Sequence, residues 1–583
     1  MTGPAADDLL AGQTWQQLLA RRSFIELDAL ERCVALLDEG KSRVLAGPFA
    51  RLESPWLEPQ GITPQSDDGV VIARGTIGGA PVVIAAIEQG FQGGATGEVS
   101  GAKISQALGL AAAESRSGTP VAAVILFETG GVRLQEANLG LNAVAEICSA
   151  VLDLRPHAPV IGVIAGTVGS FGGMSIAAGL CTRLIATPQA RIGLNGPAVI
   201  EQEHGIGEFD SSDHTLIWAV DGGKTRHAIG VVDDLIPDDA DLLRGRVLEA
   251  IRVGVVRAGQ NRSQRVDVLA SRLAAIDATR PPTPDQLRQI VGATYEPLSI
   301  TPGPPGPSRH DHTPPRSRAR TWLSALTEGH PPQPIISSVL RVTNETAVYL
   351  AVVPDPENPY HCARNGEVGL TESLALAQAV REVVDADATA ATKRAIVAVV
   401  DLPSQAYGQL EELVGLHQAM AVTVDAYHAA RTAGHPVIAL VVGTALSGGF
   451  LTHGLQANQI LALDDPGVEI HAMHREAAAR ITLRTVEELD SLAKIVTPLS
   501  YSVTDWATLG FCDGLLRVDD ADAPTPRDIE AVSAAVAEAI ERARHTPTDL
   551  SNRLDSPTAA HTRRASRAVR DLLAAQWNAV VAS

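Results

Sequence analysis

The chain has 583 residues, 45% hydrophobic and 20% charged, which exceeds one ordinary domain and is apolar enough to build sizeable cores. Its formal net charge of −20 excludes a general nucleic-acid binder, because phosphate repels such a surface, and an aromatic content of 3% leaves the cores to Ala, Val, Leu and Ile. The five cysteines, Cys33, Cys148, Cys181, Cys362 and Cys512, form no Cys-x-x-Cys pair, so no zinc ribbon is expected, and their scatter suits a reducing, cytoplasmic setting.

The acidic start, Met1–Asp8, lacks a charged-then-apolar signal, and no apolar run reads as long enough to span a membrane. Up to about residue 60 the chain reads as helical, with Ser23–Leu37 apolar at three-to-four spacing. Val121–Leu126 reads as a buried strand, followed by Phe127-Glu-Thr-Gly-Gly-Val-Arg-Leu-Gln135 and a helix to about Leu154. A second buried strand then runs into a glycine-rich turn, Val160-Ile-Gly-Val-Ile-Ala-Gly-Thr-Val-Gly-Ser-Phe-Gly-Gly173, and a small-residue helix start. The region 256–335 is read as a Pro/Arg-rich linker, densest from Pro297 to Arg320 and favouring extended chain. It separates a first domain, 1–255, from a second, 336–583.

The second domain repeats the first in order. Ala395–Val400 reads as a strand, Asp401-Leu-Pro-Ser-Gln-Ala-Tyr-Gly408 as a turn, and a helix follows to about Ala433. Val437-Ile-Ala-Leu-Val-Val-Gly-Thr-Ala-Leu-Ser-Gly-Gly449 matches the first glycine turn. Downstream, Arg183–Ile192 aligns with Gln459–Val468, and Ile229–Ile236 with Leu509–Leu516, which points to a duplicated α/β fold. The stretch after Ser551 reads as an Arg/Ala-rich helix, and whether it packs on a partner copy is left open by the sequence.

These stretches carry a family resemblance. The first half is similar to the beta subunit of biotin-independent malonate decarboxylase through Gly47–Leu57, Asp67–Gly75, Phe91–Ile104 and Phe127–Leu134. The second half resembles the gamma subunit through Asp401–Gly408 and Leu463–Met473. The resemblance implies two crotonase-like carboxyltransferase domains in tandem, each a spiral of ββα units, fused at the Pro/Arg seam. It also implies that malonyl thioester on an acyl carrier protein becomes acetyl thioester and carbon dioxide. The carrier, whose prosthetic arm is CoA-like, and the acyltransferase that loads malonate are separate subunits in such systems. A homo-oligomer is expected, with no nucleic acid, membrane or chain-bound cofactor. A carboxyltransferase that hands the carboxyl group to biotin, and a carrier-docking scaffold, are the alternatives.

Loss of the carboxyl group leaves an enolate, whose thioester oxygen is stabilised by fixed backbone N–H groups. Glycines let that oxygen approach the main chain, and a helix N-terminus adds partial positive charge. Gly172 and Gly173 are therefore expected to form the oxyanion hole, faced by Gly130 and Gly131. Gly448 and Gly449 form the corresponding turn of the second half, with two readings open: a catalytic turn that holds the departing carboxylate, or a structural relic. Tyr407, His417, His471, His474 and Glu476 are candidates to protonate the enolate carbon. Lys103 and Arg133 are expected to bind substrate, with Gly94 and Gly97 beside them, and Lys224 with Arg226 is a candidate carrier-docking patch. No metal-ligand spacing stands out, since His310-Asp-His312 lies in the linker, and Ala472-Met-His-Arg475 lacks the lysine of a biotin site.

Overall fold

The computed structural model describes residues 15–40, 42–293, 315–327 and 329–581. Met1–Asp8 and the centre of the expected linker, 294–314 with His310 and His312, lie outside them. The first half builds a seven-stranded sheet in the order β1 (Arg43–Leu45), β2 (Val70–Ile77), β3 (Ala80–Ile87), β4 (Ala122–Phe127), β5 (Val160–Ile164), β6 (Arg183–Ala186) and β7 (Asp234–Leu235). The first three strands pair antiparallel and the rest parallel. The second half repeats this with β8 (Gln333–Ile336), β9 (Val339–Thr343), β10 (Ala347–Val352), β11 (Ala395–Leu402), β12 (Val437–Leu446), β13 (Gln459–Leu463), the short β14 (Ile470–His471) beside β12, and β15 (Gly514–Leu516) at the far edge. An antiparallel hairpin feeding parallel strands through helices, twice, is the crotonase-like ββα spiral. β4, β5, β11 and β12 read as unbroken apolar runs because helices cover both faces of these sheets.

The halves do not stand apart. Helix Gly173–Leu180 of the first packs on helix Leu416–Thr432 of the second. Gly179 permits that approach, since a Cβ there would sit 3.0 Å from the Cβ of Ala421. Buried polar links reinforce the seam: Arg155 pairs with Asp425 at 2.6 Å, and Asn138 donates to the Ser500 carbonyl at 2.9 Å.

Several expectations change. Among the described residues up to 60, α-helix is confined to Trp15–Ala20 and Ala29–Leu36, with single helical turns at Pro48–Ala50 and Glu58–Gln60, and β1 interrupts it. The linker region 256–335 holds helices Val266–Ala274, Pro284–Ala293 and Arg318–Leu326, because short apolar repeats between its prolines find buried surface. Leu134–Leu154 is long and apolar enough to cross a membrane, but 94% of its apolar window is buried as a core helix. Helix Arg564–Val581 packs on helix Glu98–Arg116 of the same chain rather than requiring a partner copy. There Arg563 and Arg570 converge on Glu146 at 2.9 and 2.6 Å, Ser566 caps Glu98, and Arg74 lies 4.1 Å over the Trp577 ring.

Candidate functional site

The first glycine turn is built by the end of β5. Gly166 donates to the buried carboxylate of Glu128 at 2.6 Å, bracing the turn from the neighbouring strand end. The chain then reaches Gly172 at φ +60° and ψ −153°, a conformation that requires glycine, and helix Gly173–Leu180 begins. Gly131, at φ +110°, lies against it: a Cβ on Gly131 would fall 3.1 Å from the Gly172 Cα. The two glycine pairs thus touch backbone to backbone, where any side chain would separate them.

Which amides are free follows from their partners. Gly130 donates to the Gly93 carbonyl at 3.0 Å, Gly131 to the Thr129 hydroxyl at 3.0 Å and Gly172 to the Leu194 carbonyl at 2.8 Å. Gly173, as the first helical residue, has no intrahelical acceptor, and neither it nor Val132 has any acceptor among the described residues. The free donors are therefore Gly173, which the sequence singles out, and Val132, which it does not. Gly130, Gly131 and Gly172 shape the hole without supplying its N–H groups.

The second half repeats the geometry with one change. The Thr96–Val132 bridge of the first half has its counterpart in Val368–Gln405, so Gln405 stands where Val132 does. The Gln405 side chain folds onto the second turn: Gly448 donates to its Oε1 at 2.7 Å. Its Nε2 donates to Asn195 Oδ1 at 2.7 Å, and the N–H groups of Leu194 and Asn195 donate to the Glu412 carboxylate at 2.9 and 2.7 Å. Since Leu194 also accepts from Gly172, one chain of hydrogen bonds joins the two glycine turns across the seam.

Between these turns lies a cavity of about 620 Å³. Gly130, Val132, Phe171, Gly172, Gly173, Arg191 and Asn195 line it from the first half, and Gln405, Tyr407, Ser447, Gly448 and Met473 from the second. Among the described residues, Arg191 is the one charged side chain on its walls, and no carboxylate or imidazole lines it. Sequence reading missed Val132, Arg191, Asn195, Gln405 and Ser447, because only the meeting of the halves gives them a common space.

Of the candidate proton donors, only Tyr407 lines the cavity. It is 2% exposed, and its hydroxyl lies 3.4 Å from Ser447 Oγ, whose own proton goes to the Ala472 carbonyl at 2.7 Å. Burial raises the phenol's pKa, so it stays protonated until a strong base forms beside it. His471 is buried against the Tyr501 ring and pushed down to about 3 by that burial. Burial likewise holds His417 well below its usual range, so both rings are neutral and neither supplies an imidazolium. His474 stands behind Tyr407 at 6.5 Å between ring centroids, and Glu476 is exposed.

The expected substrate cations are elsewhere. Lys103 is fully buried and donates to the carbonyls of Asp67 and Val70, while burial lowers its pKa to about 8. Arg133 is enclosed by Asp68 at 2.6 Å and Glu136 at 2.7 Å. Both are internal supports, since a charge in a sequence does not disclose its burial. Gly97 makes room for the Arg133–Glu136 pair, and a Cβ on Gly94 would run into the Glu128 carbonyl. Gly449 packs against the Ser404 carbonyl rather than lining the cavity. Arg226 is fully buried on Asp221 at 3.0 Å, so it forms no docking patch with Lys224.

Comparison with known proteins accounts for both halves. Residues 29–246 match the carboxyl transferase domain, and residues 363–577 match the malonate decarboxylase gamma subunit. The malonyl-S-ACP:biotin-protein carboxyltransferase MADC of Malonomonas rubra is 42% identical over 234 residues, which is 38% of this chain and 73% of that protein. MADD of the same organism, with the same description, is 39% identical over 132 residues, 22% of this chain and 45% of that protein. A chain in the crystal structure of a Pseudomonas malonate decarboxylase hetero-tetramer in complex with malonate is 53% identical, with a TM-score of 0.47, and is matched over its whole length by 48% of this chain. With one half matching the carboxyl transferase domain and the other the gamma subunit, the chain belongs to the malonate decarboxylase family of carboxyltransferases, both halves joined in one polypeptide.

Proposed function

We propose that this chain decarboxylates a malonyl thioester borne on an acyl carrier protein, releasing carbon dioxide and leaving the acetyl thioester. The observation that carries this reading is the pair of amides, Val132 and Gly173, that have no acceptor among the described residues and lie in an apolar cavity that no described carboxylate lines. The thioester oxygen sits between them. The bond to the carboxyl carbon breaks, its electron pair moves into the thioester as an enolate, and carbon dioxide leaves. Fixed donors in a water-poor space stabilise such an enolate by several kcal/mol, roughly 3 for each donor. Tyr407 then gives its proton to the enolate carbon and recovers one from solvent. Arg191, at the cavity wall, meets a phosphate of the carrier's CoA-like arm. The separate carrier and malonate-loading acyltransferase act with the chain in a cytoplasmic multi-subunit assembly.

A second reading, transfer of the carboxyl group to biotin on another protein, is favoured by the descriptions of the Malonomonas rubra relatives. Against it, Gln405 already occupies the Gly448 amide of the second turn. The test is carbon dioxide release from malonyl-carrier and from malonyl-CoA, with and without avidin. Release that avidin leaves untouched is expected. Inhibition by avidin would favour the transfer reading, and no release from either substrate would make the chain a docking scaffold.

A further inference from the structure

Away from the cavity, three side chains suited to binding a metal meet at the seam between the halves. Glu208 follows helix Pro197–His204 of the first half, while His361 and Cys362 open the single turn His361–Ala363 of the second. A Glu208 carboxylate oxygen, a His361 ring nitrogen and the Cys362 Sγ all lie within 4.8 Å of one another. His361 Nε2 is 2.8 Å from Glu208 Oε2, and the other oxygen accepts from the Gln409 N–H at 2.8 Å, which fixes the carboxylate. Cys362 is fully buried, whereas the His361 side chain is half exposed, so the group is anchored inside and reachable from solvent. It borders a cavity of about 460 Å³ that Tyr360, Gln409 and Glu411 also line.

The charge around this group is one-sided. Glu411 is 1% exposed, and its Oε1 has no hydrogen-bond partner among the described residues. The carboxyl groups of Glu208, Glu372 and Glu412 are its acidic neighbours. Glu411, Glu208 and Glu367 are likewise acidic neighbours of Cys362, beside the basic Arg364. Buried acidic groups gathered this closely either keep their protons or are neutralised by a cation. Thiolate, imidazole and carboxylate together are a ligand set of Zn²⁺.

We propose that Glu208, His361 and Cys362 bind a zinc ion that clamps the first half of the chain to the second, with water completing four-coordination. Binding exchanges the thiol proton for the metal: the S–H bond breaks, an S–Zn bond forms, the proton leaves to solvent, and nothing is oxidised or reduced. The clamp sits behind helix Gln409–Val414, whose Glu412 holds the Leu194–Asn195 wall of the cavity. Its role is to position that wall, not to touch the reacting atoms.

The test uses the full chain, stripped with a chelator and titrated with Co²⁺. One equivalent is expected to bind with a thiolate-to-cobalt absorption in the near ultraviolet, and one equivalent of Zn²⁺ to displace it. Cys362→Ser should abolish that absorption. His361→Ala, at an exposed position that leaves the core intact, should weaken Co²⁺ binding by at least about tenfold. Absence of stoichiometric Co²⁺ binding, or a thiolate band that persists in Cys362→Ser, would overturn the proposal.

Discussion

At Gly173 a substitution can separate loss of a donor from loss of space. Proline suits the first position of a helix but has no N–H, so Gly173→Pro should lower carbon dioxide release by about 100-fold or more. Gly173→Ala keeps the donor, but its Cβ would meet Leu451 Cδ2 at 2.8 Å and Val144 Cγ1 at 2.9 Å. That crowding should cost about 1–3 kcal/mol of stability, seen as a lower Tm, with a smaller loss of turnover. Equal turnover in the two variants would detach the amide from the chemistry. Tyr407→Phe removes the phenol hydroxyl from the cavity wall, and kcat should fall by about 100-fold. An unchanged kcat would assign the proton to water.

At the scale of elements, helix Arg564–Val581 is held to the first half by ion pairs as well as by the buried Val569, Leu573 and Trp577. Burial by itself raises the Glu146 carboxyl, but Arg563, Arg570 and Arg553 together outweigh it and hold the carboxyl below its usual range. A depressed carboxylate contributes its stability in full above the unfolded value of 4.5 and loses it as pH falls through the lower folded value. Hydrogen exchange across this helix should therefore rise below about pH 4, before the sheets lose protection. Glu146→Gln should loosen the same helix at neutral pH, because it leaves buried guanidinium groups unpaired at a cost of about 3–5 kcal/mol. Equal protection at pH 7 and pH 3 would show that charge does not hold it. The elements themselves were legible in the sequence where their signals are contiguous: β4, β5, β11 and β12 as apolar runs, and both glycine turns as punctuation. The docking of this helix was not, since its arginines find Glu146 more than four hundred residues away in sequence.

At the scale of the whole molecule, the likeness of the two halves was readable and their division of labour was not. Val132 and Gln405 occupy equivalent bridges, yet one leaves its turn open and the other fills it, a difference made by the amide side chain of Gln405 and its Asn195 partner. The candidate cavity depends on both halves, and the seam is rich enough in buried contacts to survive without a covalent join. Residues 1–293 and 315–583, co-expressed as separate chains, should copurify in equal amounts and release carbon dioxide together. Two peaks on a sizing column would contradict this. The returning helix also sets an order for biogenesis. Ser566, which caps Glu98, is synthesised 468 residues after it. Throughout that interval the nascent first half exposes Glu98, Glu114 and Glu146 without the Ser, Trp and Arg groups that later cover them. Its surface can be completed only once translation has passed Trp577, so a product truncated before Arg563 would emerge from the ribosome with an acidic scar for quality control to read.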